Sequence, residues 1–251
     1  MTPSFDPLQD RLNGLELRLK RFERLTYLFA GIVVLIAATG FQTPNQKQRF
    51  TEIDVERLNI IEPDGRLALV IANTPRLPDP IIEGREVETG RTGPGMLFFN
   101  ADGDESGGLT FKTAARGDDY QASGHLSFDQ YKNDQVVYLS YQDNGRRRSS
   151  GLYVVDRPAR PTIGEVLEQR EAARDASAEE RRRMESELLE ATGGRPLAAQ
   201  RVFVGSDDGT AIVRLRDVQG RNRIRIFVDA ENIARMEFLD ETGQVIYSIP
   251  R

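Results

Sequence analysis

Apolar residues follow three spacings in turn along this chain. From Leu8 they recur at intervals of four, three, four and three, as Leu8, Leu12, Leu15, Leu19 and Phe22, which is the seam of an amphipathic helix. From Leu25 to Phe41 they become almost continuous, and no charge intervenes between Arg24 and Lys47. After Gln42 the pattern changes again, to short apolar runs punctuated by Asp-Gly and Asn-Gly pairs, the mark of antiparallel strands joined by tight turns.

The first segment, residues 1–24, reads as a cytoplasmic amphipathic or coiled-coil helix. Asp6 suits the N-cap, Pro7 the first helical position, and Gln9 can reach back as in a capping box. Copies entering a bilayer from one side would pair in parallel along the seam. The same helix could instead lie on the inner membrane surface with its Arg and Lys against anionic lipid, or dock on another membrane protein. Residues 25–42 read as one transmembrane helix, because at ~1.5 Å per residue the apolar run just spans a bilayer core. Tyr27 and Phe41 suit the headgroup zones and Pro44 follows as a helix stop. Arg18, Lys20, Arg21 and Arg24 outnumber Lys47 and Arg49, so the N-terminus is expected in the cytoplasm. A cleaved signal ending near Ala37-Ala38-Thr39 competes with this reading, but its n-region would be unusually long.

The remainder predicts a mainly β fold: an antiparallel β-sandwich or open barrel with a helical insertion. Val55 to Ile61 and Leu67 to Ala72 form a hairpin around Pro63-Asp64-Gly65. Met96 to Phe99 and Leu109 to Phe111 form a second, with a type I′ turn at Asp102-Gly103, and Gln135 to Tyr141 with Gly151 to Val155 a third. Ala211 to Leu215, Ile224 to Val228, Ile233 to Leu239 and Val245 to Ile249 make a meander. The strand, Asp-x-x-Gly, strand unit recurs without a fixed period, which argues against a solenoid or propeller. Thr162 to Glu165 and Ser177 to Glu180 are capping boxes and Gly193-Gly194 a stop, so one or two charged helices are expected between them. The β-domain is thus divided into a first part, residues 43–158, a charged helical insertion, 159–195, and a closing meander, 196–251.

Composition removes whole classes of chemistry. With no cysteine, no tryptophan and a single histidine, the chain lacks the residues for a structural zinc site, an iron–sulfur cluster, disulfides or a thiol nucleophile. A formal net charge of −5 argues against nucleic acid as a partner. His125, Ser127 and Asp129 alternate along one strand face, but residues two apart sit about 6.7 Å apart, too far for direct proton relay. Asn100, Asp102 and Asp104 imitate half a calcium loop, yet Glu105 stands where that loop needs glycine. No catalytic residue, metal site or cofactor is therefore assigned. The most suggestive surface is basic: Arg214 and Arg216 share one strand face, Arg223 and Arg225 the next, and Arg221 lies beside the turn. Ala211, Val213, Leu215, Ile224, Ile226 and Val228 are expected on the opposite, buried face. Such a cluster calls for neutralisation, either by acids such as Glu237 within the fold or by a polyanion, a lipid headgroup or an acidic partner.

Phe50 to Arg66, Gly95 to Asn100, Gly107 to Phe111 and Leu126 to Tyr131 resemble a family of uncharacterised bacterial membrane-anchored proteins, over roughly residues 50–158. The resemblance implies a short N-terminal anchor and a strand-rich domain; it brings no activity and no functional residues. The resulting expectation is a non-enzymatic single-pass protein of the bacterial inner membrane with its C-terminal domain periplasmic or extracellular. Its partners would be the lipid bilayer and either itself, as a parallel oligomer, or a larger membrane complex. Leu8, Leu12, Leu15, Leu19, Phe22 and the five arginines are the partner-binding candidates. The alternative is an envelope ligand-binding or sensing domain that uses the arginine face.

Overall fold

The computed structural model describes residues 7–40, 47–117 and 119–250, the side chains of 7–10, 12, 13, 35–40 and 116 excepted. The chain divides into two units, Met1–Ile53 and Asp54–Arg251.

The first unit contains one helix, α1 (Pro7–Gly40), which runs without a break from the heptad segment into the uncharged segment. Leu15, Leu19 and Phe22 stand exposed along it, as do Leu25, Leu28 and Phe29. The side chains of Leu8 and Leu12, the Asp6 cap, and Phe41 and Pro44 lie outside the described residues. Among the described residues no helix is long and apolar enough to cross a membrane. The span expected at 25–42 runs into the undescribed side chains 35–40 and beyond.

The second unit is mainly β. Its strands are β1 (Arg57–Ile61), β2 (Leu67–Ala72), the short pair β3 (Ile81–Ile82) and β4 (Arg85–Glu86), then β5 (Gly95–Phe99), β6 (Glu105–Arg116), β7 (Asp119–Asp129), β8 (Gln135–Asp143), β9 (Arg148–Asp156), β10 (Ala199–Asp207), β11 (Thr210–Arg216), β12 (Asn222–Val228), β13 (Ala234–Leu239) and β14 (Val245–Ile249). Apart from β3 and β4, which pair only with each other, all lie in one twelve-stranded antiparallel sheet in chain order. The expected sandwich needs a second sheet of comparable size, and none forms among the described residues. The sheet is open, as the barrel alternative expects, with β1 and β14 as its free edges. The reason is local: nearly every connection is a turn too short to carry the chain to another layer.

The turns share one construction. Glu62, Asn100, Asp217 and Asp240 each donate their backbone N–H to the carbonyl four residues on, and each accepts from the N–H three residues on. Gly65, Gly103, Gly220 and Gly243 occupy that third position with φ near +80 to +90°. This is a type I turn followed by a one-residue bulge, so the type I′ expectation at Asp102-Gly103 is corrected: only Gly103 has positive φ there. Asn100, Asp217 and Asp240 fix the turn further, each accepting two backbone N–H groups on one side-chain oxygen.

The insertion is two helices, α2 (Ile163–Ala172) and α3 (Ala178–Ala191), each opened by a complete capping box at Thr162 and Ser177. Gly193 and Gly194 close α3 in left-handed conformations. Four strands escape the sequence reading as hairpin partners, among them the short β3 and β4. β7 is largely polar, and β10 follows the insertion with only Val202, Phe203 and Val204 as an apolar run.

Candidate functional site

Register assigns the side chains of the sheet to two faces, since opposed residues share a face. One face is covered along part of its length. Val70, Ala72, Leu97 and Phe99 form a buried cluster, and Leu77 and Ile81 from the β2–β5 connection pack against it. That connection is held by Gly84, which donates its N–H to Asp104 at 3.0 Å, and by Arg91, which grips Glu105 with both terminal nitrogens at 2.9–3.0 Å. The Thr162 hydroxyl ties the insertion to the same segment by donating to Glu83.

Further along this face the ladder opposes Ser127, Tyr138, Tyr153, Phe203, Arg214, Arg225 and Glu237 in one row. Tyr138 stacks on Tyr153 with ring centroids 4.5 Å apart, Tyr153 meets Phe203 at 4.7 Å, and the Arg214 guanidinium lies 5.2 Å from the Phe203 ring. Phe203 is 1% exposed. Its ring settles over Gly151 and Gly205, which oppose each other, and a Cβ at either position would run into it.

The five arginines lie close together at this end of the sheet, and each is engaged within it. Arg214 donates to Asp207 at 2.8 Å, Arg216 to Asn222 and Gln200 at 2.8 Å, Arg221 to Asp217 at 2.7 Å and Arg223 to the Leu239 carbonyl at 3.0 Å, while Arg225 grips Glu237. Desolvation and the neighbouring Arg214 lower the pKa of Arg216.

The opposite face is different. One row runs Leu58, Ile71, Met96, Leu109, Leu126, Leu139, Leu152, Val204, Val213, Ile226, Met236 and Ile249, an aliphatic residue on every strand of the sheet. A parallel row runs Ile60, Leu69, Phe98, Gly107, Phe128, Val137, Val154, Val202, Leu215, Ile224, Phe238 and Tyr247, interrupted only by glycine. Neither row contains a charge. This is the face expected to be buried behind the arginines, and the expectation is corrected: Leu139 is 50% exposed, Val204 44%, Ile226 44% and Phe128 58%. Over β10 to β14 it forms a shallow apolar hollow of about 620 Å³ lined by Val204, Val213, Ile226 and Met236. The alternation separated the two faces correctly; it could not tell which one the rest of the chain covers.

Two carboxylates on the sheet behave oppositely. Asp143 accepts from the Tyr120 hydroxyl, the Gly145 N–H and Arg148 Nε, all within 2.9 Å, and the Gly145 and Arg148 donors hold its pKa down to about 2. Asp129 has a buried oxygen with no partner. Its pKa is pushed up to about 7, first by burial and then by Asp134 and Glu105, with Arg157 and Ser127 opposing. His125 bonds Gln135 through Nε2 at 3.0 Å, and burial lowers its pKa. In the calcium-like turn Asn100 caps its own backbone, Asp102 accepts from the Tyr131 hydroxyl and Asp104 holds Gly84. Among the described residues no group of three His, Asp or Glu could hold a metal ion.

No family model matches this chain, and neither a curated protein nor a solved structure does.

Proposed function

We propose that this chain is a non-enzymatic interaction protein: a single-pass protein of a bacterial inner membrane whose sheet domain serves as a structural or accessory subunit of a membrane complex. In this reading residues 1–24 lie in the cytoplasm, residues 25–42 cross the bilayer, and the sheet stands on the periplasmic or extracellular side. The observation that carries it is the pair of uncharged apolar rows that cross all twelve strands on one face. Contiguous apolar patches beyond a few hundred Å² are rare on monomers and mark contact surfaces. The charge-free stretch from Leu25 to Gln46, with Arg18, Lys20, Arg21 and Arg24 before it against Lys47 and Arg49 after it, supports the anchor and its orientation.

The test is the mass and composition of the full-length protein after gentle detergent extraction. A particle holding several chains, of this protein or others, is expected. A lone chain that stays soluble and folded overturns the reading. Protease added outside spheroplasts should digest the sheet domain and spare the N-terminal helix; protection until lysis would reverse the orientation.

A further inference from the structure

The two edges of the sheet fit each other. β1 and β14 both have five residues and neither contains a proline; their one charge, Arg57, stands at the first position of β1, where it donates to Asn59 Oδ1 and to the Arg76 carbonyl. Twelve antiparallel strands place β1 and β14 in opposite directions, so β14 of one copy meets β1 of a second copy antiparallel, as neighbours do within the sheet. Both apolar rows run out to these edges: Leu58 and Ile60 end them on β1, Ile249 and Tyr247 on β14. The spacing is the same on both strands. Setting Ile249 opposite Leu58 therefore sets Tyr247 opposite Ile60 and Ser248 opposite Asn59, and both rows continue into the next copy without a step.

The free backbone groups agree with this register. Glu56 and Glu62 bond toward β2, as acceptor and donor, so by alternation Asn59 turns its N–H and C=O outward. Asp240 bonds toward β14, which makes Phe238 and Met236 the bonded partners of Tyr247 and Ile249 and leaves Ser248 facing out. Pro250 follows directly and ends the pairing.

We infer that copies of this chain join head to tail, β14 of one pairing with β1 of the next in the register Ser248 to Asn59, so that the sheet and its apolar face extend from chain to chain. The contact uses different surfaces on the two partners, so it closes into a ring or continues as a filament. It keeps every chain pointing the same way, as copies anchored from one side of a membrane must. The inference rests on the interaction reading above, and goes beyond it in naming the partner and the pairing.

Because the chain has no cysteine, introduced ones report alone. Two differently tagged full-length chains, one Asn59→Cys and one Ser248→Cys, are co-expressed in membranes and mildly oxidised. Opposed residues of a bonded antiparallel pair lie about 5.5 Å apart, within disulfide range. A reducible product carrying both tags is expected, with at least tenfold less from either variant alone or from Asn59→Cys with Gln244→Cys, four residues out of register. Leu58→Cys with Ile249→Cys, in the same register, should give the same product, and serves if the first pair perturbs folding. Absence of the mixed product from both pairs overturns the inference. So does a disulfide formed only within a chain carrying both cysteines, since the sheet would then close on itself. Failure here alongside an extracted particle made of other proteins would leave the interaction reading standing.

Discussion

The two faces of the sheet are built from the same strands and obey opposite rules. On one, Phe203 lies nearly inaccessible over paired glycines, arginines are matched to acids, amides or a carbonyl, and the β2–β5 connection covers an apolar cluster. On the other, two apolar rows meet nothing of comparable size among the described residues of this unit. Burial within one chain is therefore concentrated on the covered face, while the bare face contributes little to it. Alternating residues of a single strand can serve the two ends separately, as Phe203 and Val204 do.

The largest effect that would sharpen this contrast is Phe203→Ala. Removing a fully buried aromatic ring costs about 3–5 kcal/mol, so urea melts should show most of the domain's stability gone. If the loss is under ~1 kcal/mol, the covered face is not the core. Charge reversal of Arg223 and Arg225 together comes next, because a new acid at 225 would face Glu237, which is only 13% exposed. A clear fall in melting temperature is expected; unchanged melting with weakened partner binding would instead make these arginines docking charges.

Asp129→Asn probes the covered face by pH. An acid whose folded pKa is raised stabilises the fold fully below its unfolded value near 3.8, and that contribution is lost as pH rises through about 7. The variant should therefore melt several degrees higher than the parent at pH 8 and close to it at pH 4. An equal shift at both values would rule out the ionisation as its cause.

The smallest stability effect should come from the bare face. Leu139→Ala removes a side chain already half exposed, and should cost under ~1 kcal/mol in the isolated domain. Leu139→Glu should leave melting similarly untouched yet reduce the mass of the extracted complex, because a charge would then enter the apolar contact. A mass equal to the parent's would remove the bare face from the assembly.

Much of the sheet was legible because its turns are chemically explicit. Asp240-Glu-Thr-Gly243 and Asp217-Val-Gln-Gly220 announce themselves, and the final meander follows within a residue or two. β10 was less legible because its apolar run is three residues long and its alternation breaks at the bulge near Arg201. The number of layers was not legible at all, since period-two alternation is the same whether the apolar side meets a second sheet or nothing within the chain. The row that joins Tyr138, Tyr153, Phe203 and Arg214 needs the register of four strands, and residues so distant in sequence carry no local sign of it. The arginines themselves were visible and so was Glu237 as one of their acids, but Asp207 is assigned to Arg214 only once the strands are paired.

The chain-order sheet also bears on how the domain folds. Each ladder joins a strand to the one made just before it, with the β3–β4 segment and the insertion as the long detours. Loop closure is then inexpensive at almost every step, and contact order is low for an all-β domain. Pairing can proceed from β1 toward β14 as the chain emerges, each new strand adding to the edge left by its predecessor. The last edge to form is β14, so the surface that would recruit another copy is completed only when synthesis of the sheet is finished.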